Sequence, residues 1–286
     1  MHTNPLLRKR YFYLFVATLC FGLLLQVPAR YLADQLGILR FLPAHIKIEQ
    51  LQGTLWQGQG ILRYEHSSRP NTGDATTLEL KLGWQFGLLP WLSESAPLVV
   101  TLNHIGSAIE AKLNLSGIDR FGLMLSGHIH PLLLNPFLKD NQSWISGRGQ
   151  IHHLSLALKG VSLFDLPKAL DDLSRHRLNL SQWPDAEINL QGAITWEGGD
   201  TYFLAGQNPI KIIYPPLALR FSQENKSLNA RLTPQDNDLS LAMISLAQTG
   251  WLNVQVDGQL KRIVPTLPMN YVAQGQSLFK YKEKVF

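Results

Sequence analysis

The stretch Leu51-Gln-Gly-Thr-Leu-Trp-Gln-Gly58 lies a short way beyond the one long apolar run of the sequence. The residues around it predict short extended segments, because apolar side chains recur at Ile46, Ile48, Leu51, Leu55, Ile61 and Leu62. Glycines interrupt these segments, and a glycine inside a strand pattern marks a bulge or a close approach of two backbones. We therefore expect Trp56, which stands between two glycines, to lie flat over a neighbouring backbone.

Beyond this stretch the chain keeps a period of two, with one apolar and one polar face for each segment. Clusters of turn-forming residues separate the segments. The pattern predicts a mainly β fold, a strongly curved antiparallel sheet that forms a groove, an open barrel or a two-layer roll, with one or two short helices. The predicted strands include residues 78–86, 109–115, 154–158, 188–196, 217–221, 228–232 and 254–260.

A weak internal repeat runs through these segments. Its copies are Leu123–Ile129, Ile188–Ile194 and Val254–Leu260, each with a glycine in the fifth position. Repeated glycines in amphipathic strands allow a sheet to bend, although such a short pattern also arises by coincidence. A break near residues 160–184, with a helix that Asp165 can cap and Pro167 can begin, leaves open whether the β-domain of residues 46–264 is one unit or two.

The long apolar run predicts a transmembrane anchor over residues 11–29. Three basic residues, Arg8, Lys9 and Arg10, stand directly before it, so the positive-inside rule places residues 1–10 in the cytoplasm and the rest of the chain in the periplasm. Residues 30–45 form a connector. A cleaved secretory signal is the alternative, and it delivers the chain to the same compartment. The apolar side chains of the predicted anchor are Tyr11, Phe12, Leu14, Phe15, Val16, Leu19, Phe21, Leu23, Leu24, Leu25 and Val27.

Charge is sparse and concentrated at the two ends of the chain. Hydrophobic residues make up 45% and charged residues 16% of the sequence, and the formal net charge is +5. Basic residues precede the apolar run and recur in residues 265–286, which we expect to form a flexible basic tail. Since the middle of the chain lacks a run of basic and aromatic residues, nucleic-acid binding is excluded. Basic termini favour an anionic membrane surface.

The sequence holds no convincing catalytic or cofactor-binding motif. His128 and His130 alternate by two and could share one face of a strand, as metal ligands do, but no carboxylate or cysteine stands at ligand spacing. The sequence lacks the motifs of a nucleophile elbow, a phosphate-binding loop, a dinucleotide-binding fold and a zinc-protease helix. We expect a protein without enzymatic activity, metal or cofactor.

A resemblance to a known family supplies a function. An N-terminal membrane segment, the L-x-G-T-L-W-x-G element and a tryptophan-containing strand, Leu82–Phe86, that runs on into Leu88–Leu92 resemble protein N of the bacterial type II (general) secretion pathway. The resemblance covers roughly the first third of the chain. It implies that Gly53, Thr54, Leu55, Trp56 and Gly58 are the family's structural signature, and that the anchored β-domain contacts the inner-membrane platform proteins or the secretin.

A second function fits the same architecture. A curved sheet with an apolar inner face, attached to the inner membrane, could bind or carry lipid, because acyl chains need a continuous apolar surface. The sequence leaves both functions open.

Overall fold

Antiparallel strands account for most of the chain that the structure describes. A computed structural model describes residues 15–16, 18–19, 22, 26–35, 46–67, 75–87, 98–115, 120–138, 143–160, 187–205, 208–224, 227–247, 251–265 and 277–284. Strands make up 71% of these residues, and the rest includes three short helices. The prediction of a mainly β fold is confirmed.

The helices are α1 (Ala29–Gln35), α2 (Pro131–Leu138) and α3 (Gln259–Ile263). The strands are β1 (Ile46–Gly53), β2 (Gln57–Ser67), β3 (Ala75–Phe86), β4 (Leu98–His104), β5 (Ser107–Leu115), β6 (Arg120–Ile129), β7 (Trp144–Ile145), β8 (Gly149–Lys159), β9 (Glu187–Trp196), β10 (Gly199–Ala205), β11 (Asn208–Tyr214), β12 (Leu217–Glu224), β13 (Ser227–Pro234), β14 (Ala242–Ala247), β15 (Trp251–Asp257) and β16 (Ser277–Lys284).

Thirteen of these strands form one antiparallel sheet in the order β1-β2-β3-β4-β5-β6-β8-β9-β12-β13-β14-β15-β16. Strands β1 and β16 are its two edges, and the sheet is not closed into a barrel. Strands β7, β10 and β11 form a small second sheet. Because β8 pairs directly with β9, the large sheet is continuous across the break near residues 160–184, where two units could have been divided. The helix expected in that break lies outside the described residues.

The register of the large sheet separates apolar from polar side chains. Residues directly opposite each other in an antiparallel pair point to the same side, and the pairs match apolar with apolar from strand to strand, as in Leu82 with Leu102 and Leu156 with Leu190. We call this side the apolar face. Its members on the central strands include Leu62, Leu80, Leu82, Val100, Leu102, Ile109, Ala111, Leu113, Leu123, Leu125, Leu154, Leu156, Ile194, Leu219 and Phe221.

The strand ends form two rims. The rim at the β1–β2 turn, here called the signature rim, also holds the end of β3, the start of β15 and the end of β16. The opposite rim carries α2, the small sheet and α3, because these elements join strands that end there. Several of the best-buried side chains, at most 6% exposed, lie at this opposite rim, among them Leu217, Ala218, Thr233, Leu241 and Val264.

A bulge in β8 interrupts the ladder opposite two of the repeat glycines, Gly127 of β6 and Gly192 of β9. Three residue steps of β8 face two steps of β6 from Leu125 to Gly127, and three face two steps of β9 from Gln191 to Ala193. Both glycines have positive φ angles, 139° and 132°. A bulge bends its strand and increases the local twist, so two copies of the repeat lie on either side of the point where β8 can bend.

The third copy of the repeat differs from the prediction. Its glycine, Gly258, has φ −60° and begins the turn into α3, so the predicted strand over residues 254–260 is wrong in its last three residues. The chain reaches the opposite rim at Asp257 and leaves the sheet there.

The predicted flexible tail over residues 265–286 also needs correction, because Ser277–Lys284 is strand β16. Its backbone pairs with β15 from Trp251 to Asp257. Phe279 and Tyr281 continue the apolar face opposite Val256 and Val254, while Lys280, Lys282 and Lys284 point to the polar face.

Two glycines of β6 test the account of the bulge. A Cβ on Gly127 would meet the backbone of Ala108 and lie 2.9 Å from Cα of Ile109. A Cβ on Gly122 would have no neighbour closer than 4.0 Å. We expect Gly127→Ala to lower the free energy of unfolding by roughly 2–4 kcal/mol, and Gly122→Ala to change it by less than about 0.5 kcal/mol. Urea unfolding of the full chain in detergent measures both, and equal effects would contradict the account.

Candidate functional site

The signature residues form the turn between β1 and β2. Thr54 N–H donates to the carbonyl of Gln57 at 2.8 Å, and Gln57 N–H donates back to the Thr54 hydroxyl at 3.3 Å. The absence of a side chain at Gly53 and the short side chain of Thr54 allow these two hydrogen bonds to close the turn. The signature is therefore a compact hydrogen-bonded turn, here called the signature turn.

Both glycines of the turn are required because neighbouring atoms lie where a Cβ atom would stand. Gly53 has φ +99°, and a Cβ there would lie 2.5 Å from the carbonyl oxygen of Gln57. A Cβ on Gly58 would overlap the indole ring of Trp84 and the carbonyl oxygen of Gln52. The ring of Trp84 thus lies over Gly58, and its Nε1–H donates to the carbonyl of Thr54 at 3.1 Å.

The ring that lies over the backbone of Gly58 is that of Trp84, whereas the sequence pointed to Trp56. Trp56 instead packs against Phe86, with ring centroids 5.7 Å apart and planes inclined by 55°. The carbonyl of Trp56 accepts a hydrogen bond from Phe86 N–H. Its own Nε1 is buried and has no hydrogen-bond partner within the part of the chain that is described.

The signature turn also holds the segment that follows the apolar run. Pro28 forms an isolated antiparallel bridge with Thr54, and Leu55 N–H donates to the carbonyl of Val27 at 3.4 Å. Helix α1 begins at the next residue, Ala29, and contacts β1. The turn therefore joins the end of the apolar run to the first hairpin of the sheet.

Few residues of the apolar run itself are described. Phe15, Val16 and Leu19 have helical backbone and are exposed, at 63%, 37% and 51%. Within the described ranges no helix has the length and apolar composition to cross a bilayer. The other residues of the predicted anchor and the topology signal lie outside these ranges: Tyr11, Phe12, Leu14, Phe21, Leu23, Leu24 and Leu25, with Arg8, Lys9 and Arg10.

The apolar face is only partly buried. Leu78, Phe121 and Ile151 are at most 7% exposed, but the side chains in the middle of the face, such as Leu123 and Leu156, are half-buried. Towards β16 the face opens further, with Ile244 at 44%, Phe279 at 50% and Tyr281 at 42% exposure. Since ordinary cores are packed as densely as organic crystals, this face retains apolar surface that an additional apolar group can cover.

The opposite, polar face carries pairs of opposite charges across neighbouring strands. Arg63 bridges Glu49 of β1 at 3.0 Å and Glu79 of β3 at 2.6 Å. The hydrogen bond to Glu79, together with the charge of Glu49, raises the pKa of Arg63. Such exposed pairs contribute little stability but fix the register of the strands.

The histidines considered as metal ligands have separate structural surroundings. His128 lies on the polar face of β6 opposite Ala108. His130 caps α2, since its Nδ1 accepts from Leu132 N–H at 3.2 Å and its own N–H donates to Ser107 Oγ at 2.8 Å. Among the described residues no three metal-binding side chains come together. The geometry supplies no metal site there.

No family model, curated protein or solved structure matches this chain.

Two partners of the signature, Trp84 and Phe86, could not be assigned from the sequence. Both belong to the strand Leu82–Phe86, which the resemblance already includes. The presence of a tryptophan and a phenylalanine in this strand was a signal of an aromatic contact. Which residues of the signature they contact depends on the register of β2 with β3.

Two matched substitutions separate the roles of the tryptophans. Trp84→Phe removes a donor that is bonded to Thr54, whereas Trp56→Phe removes a buried donor without a described partner. Both lose the same ring volume, so the hydrogen bond makes the difference. We expect Trp84→Phe to lower the free energy of unfolding by about 1–2 kcal/mol more than Trp56→Phe does. Urea titrations followed by circular dichroism measure the difference, and a larger loss for Trp56→Phe would contradict this assignment.

Proposed function

We propose that this protein is a non-enzymatic component of a bacterial type II secretion machine, anchored in the inner membrane with its β-sheet in the periplasm. In this function it assists the export of folded proteins across the outer membrane through contacts with the inner-membrane platform or the secretin.

The proposal rests on the backbone pairing between the signature turn and the end of the apolar run. The residues that resemble the secretion family are the ones that pair with Val27 and Pro28. A membrane segment held in this way would fix the position of the sheet relative to the membrane, because β1 and β2 are the first two strands of the sheet. The exposed side chains of Phe15 and Leu19 also suit a lipid environment.

The large sheet offers a physical route to partner binding. The outer edges of β1 and β16 carry backbone groups that can accept a further strand. At the signature rim, the side chain of Leu55 is 43% exposed although it belongs to the signature. An exposed apolar side chain in a tight, hydrogen-bonded turn suits a contact with another component better than a role in folding.

Two exposed apolar turn residues provide the test. Leu55 lies in the signature turn, and Ile105, 73% exposed, lies in the β4–β5 turn at the opposite rim. In a strain that lacks the chromosomal copy, we expect Leu55→Asp to leave the amount of protein unchanged and to move exported enzymes from the medium to the periplasm. Ile105→Asp should secrete like the wild type.

Quantitative proteomics of culture supernatant and periplasm measures the outcome. If the deletion strain itself secretes normally, the secretion proposal is wrong. If both variants secrete equally and normally, the signature turn is not the contact surface.

A second candidate function, lipid binding, is favoured by the apolar face. A strongly curved sheet would turn this face inward as a groove, and its half-buried aliphatic side chains would contact acyl chains. The pairing of apolar residues continues from Ile48 of β1 to Phe279 of β16, which gives a surface long enough for extended chains.

A pair of alanines tests this second function. Ala111 lies on the apolar face between Val100 and Leu125, whereas Ala157 lies on the polar face and is exposed. We expect Ala111→Trp to reduce co-purifying lipid several-fold, because an indole would fill the face, and Ala157→Trp to leave it unchanged. Lipid extraction and mass spectrometry measure the amount bound. A wild-type protein without bound lipid would exclude this function.

A further inference from the structure

Three lysines and a tryptophan form an exposed patch at the last edge of the sheet. Lys280, Lys282 and Lys284 alternate along β16, so all three point to the polar face. Lys282 Nζ lies 4.9 Å above the ring of Trp251, which is 39% exposed. We call these four residues the basic-aromatic patch.

The charges of this patch are not neutralised within the described structure. Other cations of the sheet, including Lys47, Arg63 and Lys159, make ion pairs with glutamates of neighbouring strands. The ion pairs of the described residues involve none of the three lysines of β16. A row of like charges costs repulsion, and an anionic surface would offset it.

The patch and the signature turn lie at the same rim. Trp251 begins β15 opposite Lys284 near the end of β16, and the β1–β2 turn joins Gly53 to Gly58 at the other edge. Twelve strand spacings separate the two edges, about 58 Å measured along the sheet. If the apolar run is anchored, the rim that begins beside Val27 faces the bilayer.

We propose that the basic-aromatic patch binds anionic phospholipid headgroups of the membrane that holds the apolar run, so that both edges of the sheet are attached to one bilayer. This inference rests on the proposed anchoring. Tryptophan prefers the interface between headgroups and hydrocarbon, and each lysine near an anionic leaflet adds to the attraction. The chemistry of the patch thus matches a headgroup layer better than an acidic protein, which has no need of an interfacial tryptophan.

Fluorescence resonance energy transfer between the full chain and the lipids of a nanodisc tests the inference. A donor dye is placed at Ser245→Cys, on the polar face of β14 beside Asn253, in a Cys20→Ser background, and the acceptor is a headgroup-labelled lipid. We expect strong transfer in discs that contain phosphatidylglycerol and weak transfer in phosphatidylcholine alone. High salt should abolish the difference, because it screens exposed charges.

Two triple variants with the same change in net charge give the control. Lys280→Gln/Lys282→Gln/Lys284→Gln should lower the ratio of docked to undocked protein on the order of a hundredfold. Lys47→Gln/Lys81→Gln/Lys211→Gln, which removes charges away from the signature rim, should dock like the wild type.

The outcomes separate the inference from the anchoring on which it rests. Protein that remains in the disc but transfers equally in both lipids overturns the inference alone. An equal loss of energy transfer in both triple variants also overturns it. So does binding of the patch to polyglutamate but not to phosphatidylglycerol. Protein that leaves the disc overturns the anchoring and the inference together.

Discussion

The register of the thirteen-stranded ladder is the constraint on which the rest of the structure depends. Most opposed pairs along the apolar face match apolar with apolar residues, and a slip of one residue would turn a whole strand's apolar side chains to the polar face. The bulge of β8, opposite Gly127 and Gly192, shifts the register without reversing the faces. The chain therefore builds a continuous apolar face from many short strands, each of which buries only part of its own surface.

The signature turn adds a fixed starting point to this ladder. Gly58 leaves room for the Trp84 ring, Trp84 holds the carbonyl of Thr54, and Thr54 pairs with Pro28. Each contact depends on the previous one, so the glycines and tryptophans of the first three strands act as one unit. This unit places the end of the apolar run at one rim, while several of the best-buried side chains lie at the other. The proposed functions use these two features, a rim fixed near a membrane and an apolar face that remains half-buried.

Local periodicity predicted the class of the fold and most of its central strands, because those strands alternate with few interruptions. The sequence also identifies the turn, but it does not show that Trp84 is the tryptophan that lies over Gly58. That contact depends on the pairing of two strands whose residues are 26 positions apart. The alternating lysines of residues 277–284 predict a basic tail, whereas their backbone pairs with β15 as strand β16. The sequence of helix α2 does not predict a helix, because its apolar residues are consecutive and Pro136 lies inside it. In each case a tertiary contact decides what the local pattern leaves open.

The pairing of Pro28 with Thr54 is the most direct test of the central claim, that the signature turn holds the end of the apolar run. Opposed residues of an antiparallel pair have Cα atoms about 4.5–5.5 Å apart, which suits a disulfide. In a Cys20→Ser background, Pro28→Cys/Thr54→Cys should cross-link almost completely in membranes under mild oxidation, while Pro28→Cys/Lys81→Cys should not. Absence of the cross-link in the first pair, or equal cross-linking in both, would contradict the account.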